Sequence, residues 1–343
     1  MDEPMKSQPL VEVTNLKKYF PIERGLLRKV VGYVKAVDDI TLTIHRNETV
    51  GLVGESGSGK TTLGRCILRS IEPTGGKISY YPVDGAPIDV LELNRQELNQ
   101  ARRKMQMIFQ NPYSSLDPRK TVLQIVGEPL SLHHIARGDE LVDRVKVLMN
   151  MVGLEIKHMN RYPHAFSGGQ RQRIGVARAL ALDPEFIVAD EPVSALDVSI
   201  QAQILNLLQD LKSELHLSFL FISHGLSVIK YISDRVVVMY VGKMVEMAEV
   251  TELFSHPRHP YTESLLSAIP KPDPEIKMKR IILQGDVASP SNPPSGCYFH
   301  PRCQYAKDIC KTQAPAWQEI SPAHFVACHR AAELKLAGVK LVD

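Results

Sequence analysis

The chain has 343 residues, with 41 Lys plus Arg against 38 Asp plus Glu and a formal net charge of +3. That near-balance excludes a nucleic-acid binder driven by bulk charge, and 44% apolar with 23% charged residues is the composition of a globular protein. The length exceeds one typical domain, points to two, and is enough to bury a sizeable core without staples.

The first residues, Met1-Asp2-Glu3-Pro4-Met5-Lys6, lack the apolar centre of a signal peptide. A helix crossing a bilayer needs ~20 mostly apolar residues, and stretches such as Val236 to Val241 are far shorter and border charges. The expectation is a cytoplasmic protein that reaches any membrane through a partner.

Residues 10–14 and 40–44 alternate apolar and polar positions and read as half-exposed strands. Thr49 to Val53 is a short apolar run, followed by glycines and then by helical spacing from Thr61 to Ser70. Pro73 to Gly85 is polar, with a turn expected at Thr74-Gly75-Gly76. Gln106 to Phe109 reads as a strand. Residues 111–182 read as mostly helical, with Leu141, Val145, Leu148 and Val152 on one face. Phe186 to Ala189 and Phe219 to Ile222 read as strands around a helix from Ile200 to Leu215, and Val236 to Tyr240 pairs with Lys243 to Met247 as a hairpin. Strands alternating with helices imply a parallel sheet covered on both faces. Beyond about Phe254 the chain holds 11 of its 23 prolines, which marks a turn-rich appendage.

Gly54-Glu55-Ser56-Gly57-Ser58-Gly59-Lys60-Thr61 fits G-x-x-x-x-G-K-[ST] between a strand and a helix, with Thr62 next in that helix. Its glycines allow successive N–H groups to face phosphate oxygens, and the following helix adds the positive end of its dipole. Lys60 is placed to reach the β- and γ-phosphates and Thr61 to hold Mg²⁺. Asp190, at the end of an apolar strand, suits a carboxylate for Mg²⁺, and Glu191 is a candidate base for the attacking water. Ser167-Gly168-Gly169-Gln170 at a helix start makes a second anion site, most simply explained as serving another subunit's nucleotide.

Four of the five cysteines, Cys297, Cys303, Cys310 and Cys328, cluster late in the chain; Cys66 reads as a small buried residue. In a reducing compartment such a quartet points to a metal site: tetrahedral Zn²⁺, an iron–sulfur cluster, or unligated thiols. Arg102-Arg103-Lys104 and Arg171-Gln172-Arg173 read as a solvated face and the flank of a motif.

With these motifs the sequence strongly resembles the ATP-binding subunits of ABC transporters, although Phe166 precedes Ser167-Gly168-Gly169-Gln170 where the family usually has leucine. The resemblance implies a P-loop NTPase of the ABC ATPase fold: α/β, with a mixed sheet, an antiparallel β subdomain, a helical subdomain over about 111–182, and a small irregular C-terminal appendage. The implied division is an N-terminal tail over 1–8, an ATPase domain over 9–253 and a C-terminal extension over 254–343. Implied site residues are Gln110 of the Q-loop, which meets Mg²⁺ and water, Ser194-Ala195-Leu196-Asp197 of the D-loop, and His224 at the γ-phosphate. Phe20, with Tyr19 as second choice, is implied against adenine. Gly225 stands where the family usually has aspartate, which implies slower hydrolysis or looser coupling.

The segments Phe109 to Arg119, Arg161-Tyr162-Pro163-His164 and His256 to Thr262 resemble dipeptide and oligopeptide importer ATPases, in particular the second of their paired ATPases. That likeness implies an ATP- and Mg²⁺-dependent motor on the cytoplasmic face of the inner membrane. Its implied partners are a paralogous ATPase or a second copy, two permease subunits and an extracytoplasmic peptide-binding protein, with no nucleic acid. The resemblance also implies a [4Fe–4S] cluster at the cysteines, with Zn²⁺ as the alternative. A nickel or oligosaccharide importer would use the same ATPase features; a non-transport relative would usually carry tandem motifs, which this chain lacks.

Overall fold

The computed structural model describes residues 8–25, 28–83, 85–269 and 280–339. Most of the expected tail over 1–8 and part of the extension over 254–343 therefore lie outside the described residues. The chain divides into two compact units, one of Met1–Leu10, Ile44–Glu48 and Tyr81–Ile222, the other of Val11–Thr43, Thr49–Tyr80 and Ser223–Asp343.

In strand order, β1 is Pro9–Arg24, β2 Lys29–His45, β3 Thr49–Val53, β4 Gly75–Tyr80, β5 Ile88–Asp89, β6 Met105–Ile108, β7 Phe186–Asp190, β8 Ser218–Ile222, β9 Arg235–Tyr240, β10 Lys243–Glu249, β11 Gln318–Ser321 and β12 His324–Val326. In the unit that holds β3, one sheet runs β2-β1-β4 and a second runs β11-β12-β10-β9-β3. The second is mixed: β3 and β9 are parallel, while β9, β10, β12 and β11 are antiparallel. The parallel pairing expected from strand–helix alternation holds for β3 and β9, and the expected hairpin of β9 with β10 makes the sheet mixed.

The β9–β10 hairpin turns where the glycine predicted it. Val241 and Gly242 both have positive φ, 43° and 78°, as a two-residue turn between twisted strands requires. The expected turn at Thr74-Gly75-Gly76 is instead the start of β4, which pairs antiparallel with β1 from Val11↔Tyr80 onward. Gly76 has φ 103°, and a Cβ there would lie 2.6 Å from the Leu16 Cα, so its glycine serves close strand approach. Gly76 and Lys77 are exposed at the start of the strand, and Ile78, Ser79 and Tyr80 are buried at its end.

The appendage is less irregular than its prolines indicated. Strands β12 and β11 extend the sheet beyond β10, with Glu246 opposite Val326. The fully buried Glu246 carboxylate accepts the backbone N–H groups of Arg258 and His259 at 2.6 and 2.9 Å and lies 2.8 Å from His324 Nε2. A buried carboxylate with this many donors is satisfied rather than stranded. His259, also buried, accepts from the Tyr261 N–H through Nδ1 at 3.1 Å and so caps the helix Pro260–Ser267.

In the other unit, β6, β7 and β8 are parallel and β7 is buried along its whole length. Helices Val122–Leu132, Gly138–Met151 and Gly168–Leu180 pack on one another. Val145, Leu148 and Val152 are buried as their spacing predicts, and Leu141 is half-buried against Gly127, where a Cβ would come within 2.8 Å of it. The helix Arg95–Lys104 lies outside the sequence expectations. It starts on an Asn94–Glu97 capping box and buries only Ala101, so it has almost no apolar period to read.

Burial pulls the His259 imidazole down to about 3. The unfolded chain therefore takes up a proton near pH ~6.5 that the folded chain refuses, so the stabilising effect is complete above that pH and lost as pH falls. Thermal unfolding between pH 7 and 5 should show wild-type stability falling by up to about 1.4 kcal/mol per pH unit from this group. His259→Asn, which keeps a capping acceptor, should unfold with a flatter pH profile over that window.

Candidate active site

The phosphate loop joins β3 to the helix Lys60–Ile67. Gly54 and Gly59 have φ of 151° and 104°, and a Cβ would fall 2.2 Å from the Met239 carbonyl oxygen and 2.0 Å from that of Ala36. Both the backbone region and the contact demand glycine. Lys60 is buried, and its ammonium donates to the carbonyls of Gly54 and Glu55 at 2.7 and 3.0 Å and to Ser58 Oγ at 3.4 Å. Ser56 and Gly57 are exposed at the bend; Thr61 and Thr62 are half-buried in the first helical turn.

In the same unit Phe20 is 36% exposed, with the Lys18 ammonium 4.8 Å from its ring centroid. The Tyr19 hydroxyl is tied to Asp38 instead. Burial would raise the Asp38 carboxyl, but the Tyr19 hydroxyl and Lys243, at 3.1 Å, outweigh it and hold it below the usual carboxylate range. Of the two aromatic candidates, Phe20 is the more exposed. His224 is exposed in the loop before the helix Leu226–Ile232, and Ser223 is anchored to β3 by its N–H to the Leu52 carbonyl at 3.2 Å. Gly225 caps that helix with φ −88°; a Cβ there would meet Ser223 Oγ and Val228 at 3.6 Å, an ordinary contact.

In the other unit Asp190 ends β7, 1% exposed. Glu191 follows with a left-handed backbone, φ 46°, its N–H bonded to the Ile222 carbonyl at 2.9 Å. A non-glycine residue held there is strained, and such strain concentrates where a side chain must be aimed. Gln110 Nε2 donates to the Glu191 carboxylate at 2.9 Å, so two candidates 81 residues apart meet directly. Ser167 N-caps the helix Gly168–Leu180 in a capping box with Gln170. Gly168 and Gly169 pack on Leu196 and Ile200, where a Cβ at 169 would approach Ile200 to 2.4 Å. Close approach of Ile200 thus favours glycine at 169, while at 168 a Cβ would press only on the end of Leu196 at 3.3 Å, and Ser167 itself stays exposed.

The basic flank is more than a solvated surface. Arg171 donates to the Pro163 carbonyl at 2.7 Å and stacks 4.1 Å from the Tyr113 ring, and Arg173 donates to the Val152 carbonyl at 2.6 Å. Two residues of the extension also join the phosphate loop, Tyr261 from the importer-like segment and Arg302, which the sequence did not single out: the Tyr261 hydroxyl accepts the Glu55 N–H at 2.7 Å, and Arg302 pairs with the Glu55 carboxylate. Nothing local in the sequence signals either contact.

Cys297, Cys303, Cys310 and Cys328 all line one small cavity. The Cys297 N–H bonds the Cys310 carbonyl at 2.8 Å, and Gly296 turns with φ 68° beneath it. Burial pushes the Cys297 thiol up to about 11 and the Cys328 thiol to about 12, and neighbouring thiols add to both shifts. Among the described residues no set of three or more His, Cys, Asp or Glu is drawn together as an ion-holding group. Four soft sulfur donors around a common cavity remain chemically suited to zinc or an iron–sulfur cluster. Cys66 is buried in the helix after the phosphate loop, as its reading required. No described helix is long and apolar enough to cross a membrane.

The ABC transporter family profile matches residues 37–194, and that of the oligopeptide/dipeptide transporter C-terminal region matches residues 245–310. The chain is 50% identical over 325 residues to the oligopeptide transport ATP-binding protein AppF of Bacillus subtilis, spanning 94% of this chain and 97% of that protein. It is 45% identical to the dipeptide transport ATP-binding protein DppF of Haemophilus influenzae, spanning 95% and 98%. A solved dimeric ATP-binding cassette in a post-hydrolysis state, bound to ADP and Pi, superposes with a TM-score of 0.60 at 30% identity, over 70% of this chain and 99% of that one.

Proposed function

The chain belongs to the ABC transporter family as an ATP-binding subunit of the peptide-importer kind, and we propose how its residues divide the work of that ATPase motor. The similarity that carries the function runs through nearly the whole chain and includes the C-terminal region particular to peptide transporters. The two domains proposed are an ATPase domain over 9–253, with its helical part at about 111–182, and the importer-type extension over 254–343.

Lys60 and the amides of Gly57, Ser58, Gly59, Lys60, Thr61 and Thr62 bind the phosphates, and Gly54 and Ser56 shape the bend; Phe20 stacks on adenine. Thr61, Gln110 and Asp190 would hold Mg²⁺, which when bound neutralises the charge on the β- and γ-phosphate oxygens. Glu191 takes the proton of the attacking water. The Gln110 amide fixes one carboxylate oxygen of Glu191, which is the support for this pairing of roles. His224 contacts the γ-phosphate. Ser167, Gly168, Gly169 and Gln170 serve the nucleotide of the opposing subunit, for which their exposed helix start is suited.

Two such subunits, paralogues or identical copies, close on ATP and reopen after hydrolysis, a population shift set by differential nucleotide affinity. Permease subunits at the cytoplasmic face of the membrane receive that motion, and an extracytoplasmic binding protein supplies the peptide. The four cysteines would hold a [4Fe–4S] cluster, or Zn²⁺ in its place, as a staple for the extension; their shared cavity and soft donor set support this.

In the assembled transporter, Glu191→Gln should still bind ATP while phosphate release falls at least ~100-fold; turnover at the wild-type rate would remove Glu191 from the role. Gly225→Asp fits its position without strain, so it should fold normally and raise the ATPase rate of the complex, and an unchanged rate would show that the glycine costs nothing. Protein purified without oxygen should be brown with absorbance near ~400 nm and bound iron. Cys303→Ser should bleach it; a colourless protein with stoichiometric zinc would assign the alternative.

A further inference from the structure

The phosphate loop is tied to the C-terminal extension through Glu55. The Glu55 carboxylate receives both terminal nitrogens of Arg302, at 2.7 and 3.2 Å. The Glu55 N–H donates to the Tyr261 hydroxyl at 2.7 Å, and its carbonyl accepts from the Ser58 N–H at 3.2 Å and the Lys60 ammonium at 3.0 Å. Each backbone polar group of this residue and both oxygens of its carboxylate are therefore engaged, and the partners from the extension lie 206 and 247 positions away in sequence.

The supports are themselves rigid. Arg302 has a side chain only 9% exposed and stands on the turn immediately before Cys303. Tyr261 is fully buried in the first turn of its helix; burial raises its phenol, so the hydroxyl stays protonated at neutral pH. Phe299 packs against Tyr240 and Tyr261 with ring centroids 5.2 and 5.3 Å away, which fixes the ring that carries the hydroxyl.

The chemistry asks for such a device. A carboxylate inside a loop that receives a polyphosphate opposes its ligand. A bidentate guanidinium neutralises that charge and turns it away in a fixed geometry. The Tyr261 hydroxyl in turn fixes the peptide plane at the entrance of the bend, before the amides of Gly57 to Thr61.

We propose that Arg302 and Tyr261 are positioning residues for nucleotide binding: through Glu55 they hold the phosphate loop in its receptive shape, so that the extension sets the nucleotide affinity of the ATPase domain. The inference rests on the assignment of residues 54–61 as the phosphate loop.

The test is calorimetric titration of the full-length chain with ADP and Mg²⁺, with folding checked by circular dichroism and thermal unfolding. Arg302→Met should weaken ADP binding about tenfold, and Tyr261→Phe, which removes one oxygen, by about three- to tenfold, the range of a lost hydrogen bond. Arg302→Lys should fall between Arg302→Met and wild type. A merely structural role would lower the unfolding temperature and leave the affinity of the folded protein alone. The proposal is overturned if either Arg302→Met or Tyr261→Phe, while folded, binds ADP as tightly as wild type. If Arg302→Met does not fold, Tyr261→Phe decides alone. Lys60→Ala separates the two readings: if it binds ADP like wild type, the phosphate-loop assignment fails instead.

Discussion

The function rests on a steric constraint in the backbone. The loop after β3 bends so tightly that carbonyl oxygens of Ala36 and Met239 occupy the space where side chains at 59 and 54 would begin. Only glycine survives both that contact and the positive φ. The loop is thereby pressed against β2 and β9, and its shape is inherited from strands whose own positions are set by burial. Gly242 carries the same constraint to the hairpin turn, where its N–H bonds the Ser58 carbonyl and its carbonyl accepts from Asp38. Lys60 completes the structure from inside, its ammonium shared among loop oxygens rather than left in an apolar pocket.

The chemistry-bearing groups stand at the ends of buried strands. Along β7 every residue is buried, and the chain then turns through a left-handed Glu191. The strand supplies rigidity that a loop lacks, and the strained residue at its end aims one carboxylate toward Gln110. The same logic governs the helix Gly168–Leu180. Gly169 is needed because Ile200 comes so near, while the capping serine is exposed. Rigid packing behind and exposed polar atoms in front are what a preorganised electrostatic site requires.

How far the sequence could be read follows from the range of each signal. The phosphate loop, the Asp190–Glu191 pair and the β9–β10 hairpin were legible because each is written in a short run of consecutive residues. The Gly75-Gly76 pair misled, since two glycines indicate a turn unless a neighbouring strand needs their missing side chains. The helix Arg95–Lys104 was silent because it is held by its caps and buries one alanine. Strands β11 and β12 were hidden by length: four and three residues give no period, and their pairing partner lies far back in the chain. The Glu55–Arg302 pair was beyond reach for the same reason: Glu55 occupies an unrestricted position of the phosphate-loop pattern, and Arg302 does not differ locally from a solvated surface charge.

These long-range ties explain why a proline-rich segment folds at all. Its helices are short and its strands shorter, so local propensity contributes little. What orders it is a set of buried and half-buried polar contacts with earlier parts of the chain: Glu246 with three donors, Arg302 and Tyr261 on Glu55, and Tyr298 on Asp38 at 3.1 Å. Such contacts are weak in water and strong only where water is excluded, and exclusion here comes from the cluster of Tyr240, Tyr261 and Phe299. Removing Glu55 would leave the Arg302 guanidinium, 9% exposed, without its counter-charge, which costs more than the pair was worth. The extension is thus held to its unit by long-range polar contacts, and two of them, from Tyr261 and Arg302, converge on the second residue of the phosphate loop.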